Sequence, residues 1–495
     1  MNHQITRLSI VALGLLAALV VATTYWQTWA PSGLAARQDN AILRVAQFKI
    51  RRGLIYSSDG KLLAARRATK AGGQTFYFRR YPSGPLAAQV VGYATQSRSR
   101  AGLERSMDDY LTSSNSHLDT VVRRTLDSLT GTTVTGNNLV LTIDSKAQQT
   151  ALNALDGNCG AVVALDPRTG AVLAMASSPS YNPNLVERHF SAIARQASKV
   201  NCSPGAPLVN RATAGLYTPG STFKVLTAAA ALDSGKFKPD SSFYDPGYCV
   251  EYGKKVSNFA DQSGPEVFGN VSLATALQHS INAVFCEIGK KLGPLTILDY
   301  ARRFGWYNDP PLETPSSEKS PSGLYNRGRL FSPHDPNQVD PGRLAFGQER
   351  MQVTPLQMAM LAAGIANDGV VMQPYVVQKI TAPGGATIVR HKPKVYSRPI
   401  SAETANALTT MMQSVVTGGT GTAAQIPGVA VAGKTGTAET GAPGVNTTSF
   451  IAFAPADAPR VAVSVFLENQ HGVGGQTAAP IAKTVMETLL KERHK

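Results

Sequence analysis

Serine and lysine three residues apart can form a nucleophile and its base, and this 495-residue sequence offers that spacing three times: Ser58/Lys61, Ser221/Lys224 and Ser316/Lys319. Only Ser221 stands where a helix should begin. Pro219-Gly220 breaks the chain, and Val225 to Leu232 is then apolar on nearly every side, the pattern of a helix buried in a large core. A serine in the first turn holds its hydroxyl near the positive helix end, where developing negative charge is favoured. Lys224 lies on the same face, and partial burial would lower its pKa and free a neutral amine to act as base. The plainer reading is a helix cap beside a snorkelling lysine.

Two further patterns could complete such a site. Ser-x-Asn occurs at Ser113/Asn115, Ser180/Asn182 and Ser280/Asn282. The last follows the helical pattern Leu273 to His279 and precedes Ala283-Val284-Phe285, so by itself it reads as a polar break between two helices. Lys434-Thr435-Gly436-Thr437 occurs once, directly after the strand-like Val429 to Ala432. Small residues there let a substrate lie along a strand edge, and a cation with two hydroxyls can seat a carboxylate; a strand ending in a turn is the alternative. None of the eight histidines falls within these patterns, and His279 reads as a helix-end residue.

The elements that must position these residues are legible in the punctuation. Gly160 to Leu165 and Ala171 to Ala176 flank the turn sequence Asp166 to Gly170, and Ser449 to Ala454 and Val461 to Leu467 flank Pro455 to Arg460, giving two hairpins. Helical patterns such as Lys146 to Leu155 and Thr354 to Asn367 accompany them. Strands at both ends of a helical middle predict an α+β fold with one antiparallel sheet closed by distant segments. Arg51 to Thr150 reads as a strand-rich, irregular domain, and Asn308 to Asp340, rich in Pro and Ser, as a loop or poorly ordered insertion.

Charge and hydropathy place this machinery at a membrane. The net charge is +16 with only 16% charged residues, and residues 31–150 alone carry +9. A basic segment suggests an anionic neighbour such as nucleic acid, lipid headgroups or an anionic wall polymer; no zinc-finger spacing or basic-aromatic interleaving supports nucleic acid, and lipid fits better. Leu8 to Trp26 is uncharged and long enough to span a bilayer, with Tyr25, Trp26 and Trp29 at its far end. A poor cleavage signal before Pro31 favours an uncleaved anchor over a signal peptide. Arg7 then places the amino terminus in the cytoplasm and the rest outside, although Arg37 and Arg44 lie just beyond the span. Cys159, Cys202, Cys249 and Cys286 allow up to two disulfides, and buried free thiols remain open.

Taken together and in this order, the three motifs resemble the active-site triplet of penicillin-binding proteins and serine β-lactamases. Tyr217-Thr218-Pro219-Gly220-Ser221-Thr222-Phe223-Lys224 looks like the nucleophile motif, and Gly433-Lys434-Thr435-Gly436-Thr437-Ala438-Glu439 like the third. Arg52-Gly53-Leu54-Ile55, Asp59 to Ala64 and Gly102-Leu103-Glu104 look like pedestal motifs of class B members, and the whole chain is similar to their actinobacterial branch. One departure is Thr447-Thr448-Ser449, where an aromatic residue is common; it bears on acceptor-side contacts, not on acylation.

The resemblance implies a transpeptidase fold with a five-stranded antiparallel sheet flanked by helices. It divides the chain into an anchor (1–30), a pedestal (31–137) and a transpeptidase domain (138–495). It implies a D,D-transpeptidase that cross-links peptidoglycan stem peptides, is acylated by β-lactams, serves cell-wall growth or division, and has room for minor carboxypeptidase activity. Ser221 would be the nucleophile, Lys224 its base, and Ser280 the proton relay. Asn282 would bind the peptide amide and hold Lys224. Lys434 would supply positive potential, Thr435 and Thr437, on either side of Gly436, would bind the carboxylate, and the N–H groups of Ser221 and Thr437 would form the oxyanion hole. No metal or cofactor is implied, and the expected partner is a membrane glycan polymerase of the shape, elongation, division and sporulation type. The rival readings are a secreted β-lactamase, which needs neither anchor nor pedestal, a β-lactam-binding sensor, and a non-catalytic wall-assembly scaffold.

Overall fold

The computed structural model describes residues 2–28, 45, 47–96, 100–115, 117–130, 132–155, 157–195, 202, 205–261 and 264–492. Helix α1 (Asn2–Thr28) contains the stretch Thr6–Thr24, long and apolar enough to cross a bilayer and unburied by the rest of the chain. Trp29, Arg37 and Arg44, which entered the anchor reading, lie outside the described residues.

Strand β1 (Ile55–Tyr56) is followed by the hairpin β2 (Leu62–Ala71) and β3 (Gln74–Arg80), then by β4 (Asn138–Leu141). Helix α2 (Ser145–Ala154) starts at Asp144, whose carboxylate accepts from the N–H groups of Lys146 and Ala147. Strands β5 (Gly160–Leu165) and β6 (Val172–Ser178) form the expected first hairpin. The helical middle contains α3 (Lys224–Asp233), α4 (Leu273–Gln278), α5 (Asn282–Leu292) and α6 (Pro355–Ala366). Then come β7 (Val377–Thr381), β8 (Thr387–Arg390) and α7 (Ala402–Gly418). Strands β9 (Ala432–Glu439), β10 (Asn446–Ala454) and β11 (Val461–Gln470) precede α8 (Gly474–Glu492).

The central sheet has the order β9-β10-β11-β5-β6 with every neighbour antiparallel, so chain ends close it as expected. Its strands are continuously apolar because both faces are covered. Ala161, Val163, Ile451 and Phe453 face a core shared with α6, while Val162, Ala164, Phe450 and Val465 face one shared with α8. Helix α6 is buried at every position, which explains its lack of a polar face. Strand β9 lies at the sheet edge.

A second sheet, β8-β7-β4-β1-β2-β3, joins the first third of the chain to a hairpin from the last third. Beside it the pedestal motifs converge on buried charge. Glu104 pairs with Arg52 at 2.7 Å and with Arg79 at 2.6 Å, and Arg52 also meets Asp108.

Three expectations need revision. Asn308 to Asp340 is ordered: Gly323–Asn326 and Arg329–Phe331 form a hairpin, and Leu312, Leu324 and Val339 are buried, so its prolines shape short turns over the core. Val429 to Val431 is not a strand leading to the lysine motif; the strand begins at Ala432 and contains the motif. Ser221 sits on a 3-10 turn, Gly220–Phe223, and the α-helix begins at Lys224. The open cysteine reading resolves into Cys159–Cys202 and Cys249–Cys286.

Candidate active site

The edge of β9 collects the three motifs. Gly220 has φ +52°, and a Cβ there would lie 2.6 Å from the carbonyl oxygen of Thr437, so only glycine lets the Ser221 turn press against the strand. Gly436 meets the same segment from the strand side: a Cβ would fall 2.8 Å from the Pro219 carbonyl oxygen. The N–H of Gly220 donates to the Gly347 carbonyl at 3.2 Å, fixing the turn from behind.

Lys224 is fully buried at the start of α3. Its Nζ donates to the Ser280 carbonyl at 2.5 Å, to Asn282 Oδ1 at 2.7 Å and to Ser280 Oγ at 3.2 Å. Ser280, between α4 and α5, adopts φ +61°, a costly conformation for a non-glycine residue and one that turns both its carbonyl and its hydroxyl to the lysine. Asn282 Nδ2 donates to the Ser257 carbonyl at 3.0 Å, which orients its Oδ1. Among the described residues no side-chain hydrogen bond ties Ser221 to Lys224; the amine is held by the second motif instead.

Lys434 is also fully buried, donating to the Thr435 carbonyl at 3.0 Å and to Thr435 Oγ1 at 3.3 Å. Thr435 Oγ1 lies 2.6 Å from Thr420 Oγ1, and Thr437 Oγ1 accepts from the Gly474 N–H at 3.2 Å. Burial, reinforced by the neighbouring Lys434 charge, pushes the Lys224 amine well below the ordinary lysine range. Burial alone pushes Lys434 down to about 7. The site therefore holds two amines with no carboxylate among their hydrogen-bond partners in the described residues, a serine on a turn and an edge strand that pairs on one side only. That set can take a proton, receive an anion and align a peptide, which is the chemistry of acyl transfer.

The structure thus brings Ser221, Lys224, Ser280, Asn282, Lys434, Thr435, Gly436 and Thr437 together. The other occurrences of the motifs are structural: Ser58 Oγ donates to the Ile143 carbonyl, Ser113 Oγ to Thr135, Ser180 Oγ to Pro85, and Lys319 Nζ to Leu312. Helix α4 is capped at its end by His279, whose ring lies tilted against Phe268 at 5.0 Å. Sequence reading missed Thr420, Gly474 and Phe285, whose ring lies 5.4 Å from Lys224 Nζ. Nothing in their spacing signals these roles: Thr420 and Gly474 reach the site from outside the motifs, and Phe285, one turn after Asn282 on α5, reads as an ordinary core residue. Amines, hydroxyls and an amide suit no resident metal, and both carboxylate-sulfur clusters among the described residues contain a disulfide.

Residues 160–487 match the penicillin binding protein transpeptidase domain, and residues 52–139 match the penicillin binding protein A dimerisation domain. The chain belongs to the penicillin-binding protein family. It is 36% identical to the peptidoglycan D,D-transpeptidase PbpA of Mycolicibacterium smegmatis, over 99% of this chain and 100% of that one. Among solved structures, penicillin-binding protein A of Mycobacterium tuberculosis in its ceftriaxone acyl-enzyme complex superposes with a TM-score of 0.79 at 33% identity, covering 90% of this chain and 100% of that chain. Penicillin-binding protein 2 of Pseudomonas aeruginosa gives 0.72 at 30% identity, covering 90% and 96%. The penicillin-binding fold thus extends over pedestal and catalytic part alike.

Proposed function

We propose that this chain is a serine-type peptidoglycan D,D-transpeptidase that β-lactams acylate. The observation that carries the reading is the buried Lys224 amine, depressed toward its neutral form and held against Ser280 and Asn282 one turn from Ser221. Ser221 Oγ attacks the penultimate D-alanine carbonyl of a stem peptide, and Lys224 Nζ takes its proton. The proton passes by Ser280 to the departing D-alanine amine, leaving an ester on Ser221. N–H groups of Ser221 and Thr437 stabilise the tetrahedral oxyanion. Asn282 binds the peptide amide, and Lys434 with Thr435 and Thr437 receives the terminal carboxylate. An amine of a second stem peptide then attacks the ester, and the cross-link forms as Ser221 regains its proton.

Residues 1–30 act as a single-pass membrane anchor with a cytoplasmic amino terminus, 31–137 as a pedestal and 138–495 as an extracytoplasmic catalytic domain. Two disulfides support that compartment. The partner is a membrane glycan polymerase of the shape, elongation, division and sporulation type, which supplies the polymer this enzyme joins. A fluorescent penicillin should label the protein at Ser221, and Ser221→Ala should fold and remain unlabelled. Full labelling of that variant, or adduct mapping to Ser58 or Ser316, would overturn the assignment.

A further inference from the structure

A pocket of about 390 Å³ is lined in part by Tyr217 and Thr218 of the nucleophile segment, Arg211, Gln352, and Thr447 and Glu468 of β10 and β11. A bulge builds it. Thr448 pairs with Leu467 and Asn446 with Gln470, so Thr447 alone on β10 faces both Glu468 and Asn469 on β11. Asn469 takes φ +52° there. Such bulges re-aim side chains beside active sites.

The polar groups around the pocket are unevenly spent. Glu468 Oε1 accepts from Arg211 Nε at 2.9 Å and from Tyr217 OH at 2.8 Å. Arg211 turns its remaining donors away, to the Gly205 carbonyl at 3.0 Å and the Ala206 carbonyl at 3.3 Å. Gln352 gives its amide N–H to Thr218 Oγ1 at 3.1 Å. Among the described residues, Glu468 Oε2, Gln352 Oε1 and the Thr447 hydroxyl take no hydrogen bond. Three oxygens with acceptor capacity, one of them anionic, match the three donors of a primary ammonium.

We propose that this pocket is a subsite for the primary ammonium on the side chain of the donor stem peptide. The proposal rests on the transpeptidase reading and deepens it. The reaction needs an amine only on the acceptor, but where donor and acceptor are stem peptides of one kind the donor carries the same side-chain amine. With the leaving carboxylate toward Lys434 and the scissile carbonyl at Ser221 and Thr437, the upstream donor residue lies along Ala438. The cross-strand partner of Ala438 is Thr447, at the pocket wall. Thr447 also shares its sheet face with Ser449, whose hydroxyl reaches the Pro219 carbonyl of the nucleophile segment at 3.4 Å.

The test uses the membrane-anchored full chain and two D-alanyl thioester donors, both blocked at the α-amine, one with a lysine and one with an Nε-acetyl-lysine before the D-alanyl residue. The lysine donor should have a kcat/KM roughly tenfold higher, as expected for one charge-assisted contact. Glu468→Gln should erase that preference, and Thr447→Val and Gln352→Leu should each reduce it, which keeps the idea testable if Glu468→Gln does not fold. Equal use of both donors by the parent, or an equal loss on both in the variants, overturns the subsite. Penicillin labelling of Ser221 is read in parallel: its failure would sink the transpeptidase reading, whereas intact labelling with equal donors sinks only the subsite.

Discussion

The pedestal and the catalytic cleft both bury charge, and they treat it in opposite ways. In the pedestal, burial alone would raise the Glu104 carboxyl, but Arg79 and Arg52 outweigh it and hold the group below the usual carboxylate range. Arg52, Arg79 and Glu104 each have an opposite charge in contact. In the cleft, Lys224 and Lys434 are as deeply buried and have only neutral hydrogen-bond partners; burial pushes both amines down, Lys434 to about 7 and Lys224, which also feels the Lys434 charge, well below the ordinary lysine range. Compensated burial builds a support; uncompensated burial stores reactivity.

The comparison breaks first at Lys224. Lys224→Arg keeps a cation but cannot supply a neutral base, so β-lactam acylation measured by stopped flow should fall by about 10⁴-fold. A near-parent rate would remove the base role.

Next in size is the pedestal. Glu104→Gln strands two buried guanidinium groups and should cost about 3–5 kcal/mol in denaturant unfolding, with the acylation rate of the folded fraction unchanged. A loss below about 1 kcal/mol would show that the cluster is not a compensated one.

The third contrast reverses sign. Removing buried charge from the cleft should stabilise, so Lys434→Met should unfold roughly 1–4 kcal/mol later than the parent at pH 7 while losing about a hundredfold in acylation. Lys434→Arg should retain more activity than Lys434→Met. A destabilised methionine variant would mean that Lys434 is compensated after all.

The smallest effect is in the pH profile. Acylation should fall on the acid side as Lys224 gains its proton. It should also fall on the alkaline side, through about 7 in the free enzyme, as Lys434 loses the proton that attracts a carboxylate. Stability runs the other way: the unfolded chain protonates Lys434 more readily, so its contribution to folding rises with pH from about 7 to the ordinary lysine value of 10.5. An acylation rate that stays flat through pH 7 to 9 would contradict the depressed Lys434.

The nucleophile, the Ser-x-Asn turn and the Lys-Thr-Gly-Thr strand were legible because each is a contiguous spacing beside a strong helix or strand pattern. Both hairpins were legible for the same reason. Thr420 and Gly474 were not, since only the closing of β9 against α7 and α8 brings them in, and Phe285 was not, since it reaches Lys224 only once α5 packs against α3. Asn308 to Asp340 misled because proline and serine mark turns whether or not a hydrophobic anchor such as Leu324 pins the segment down. The cysteine pairing depended on folding too: Cys249 and Cys286 meet only because α5 packs beside the strand Tyr248–Glu251.

Both sheets also carry a kinetic consequence. Asn138 of β4 finds Thr381 of β7, and Gly160 of β5 finds Leu467 of β11, so each sheet waits for residues made hundreds of positions later. A chain emerging amino terminus first holds the ladder edges of β4 and β5 open through most of its synthesis. High contact order of this kind makes folding slow and leaves unfinished chains sticky. Chains stopped before β11 should aggregate or be degraded rather than persist as a folded pedestal.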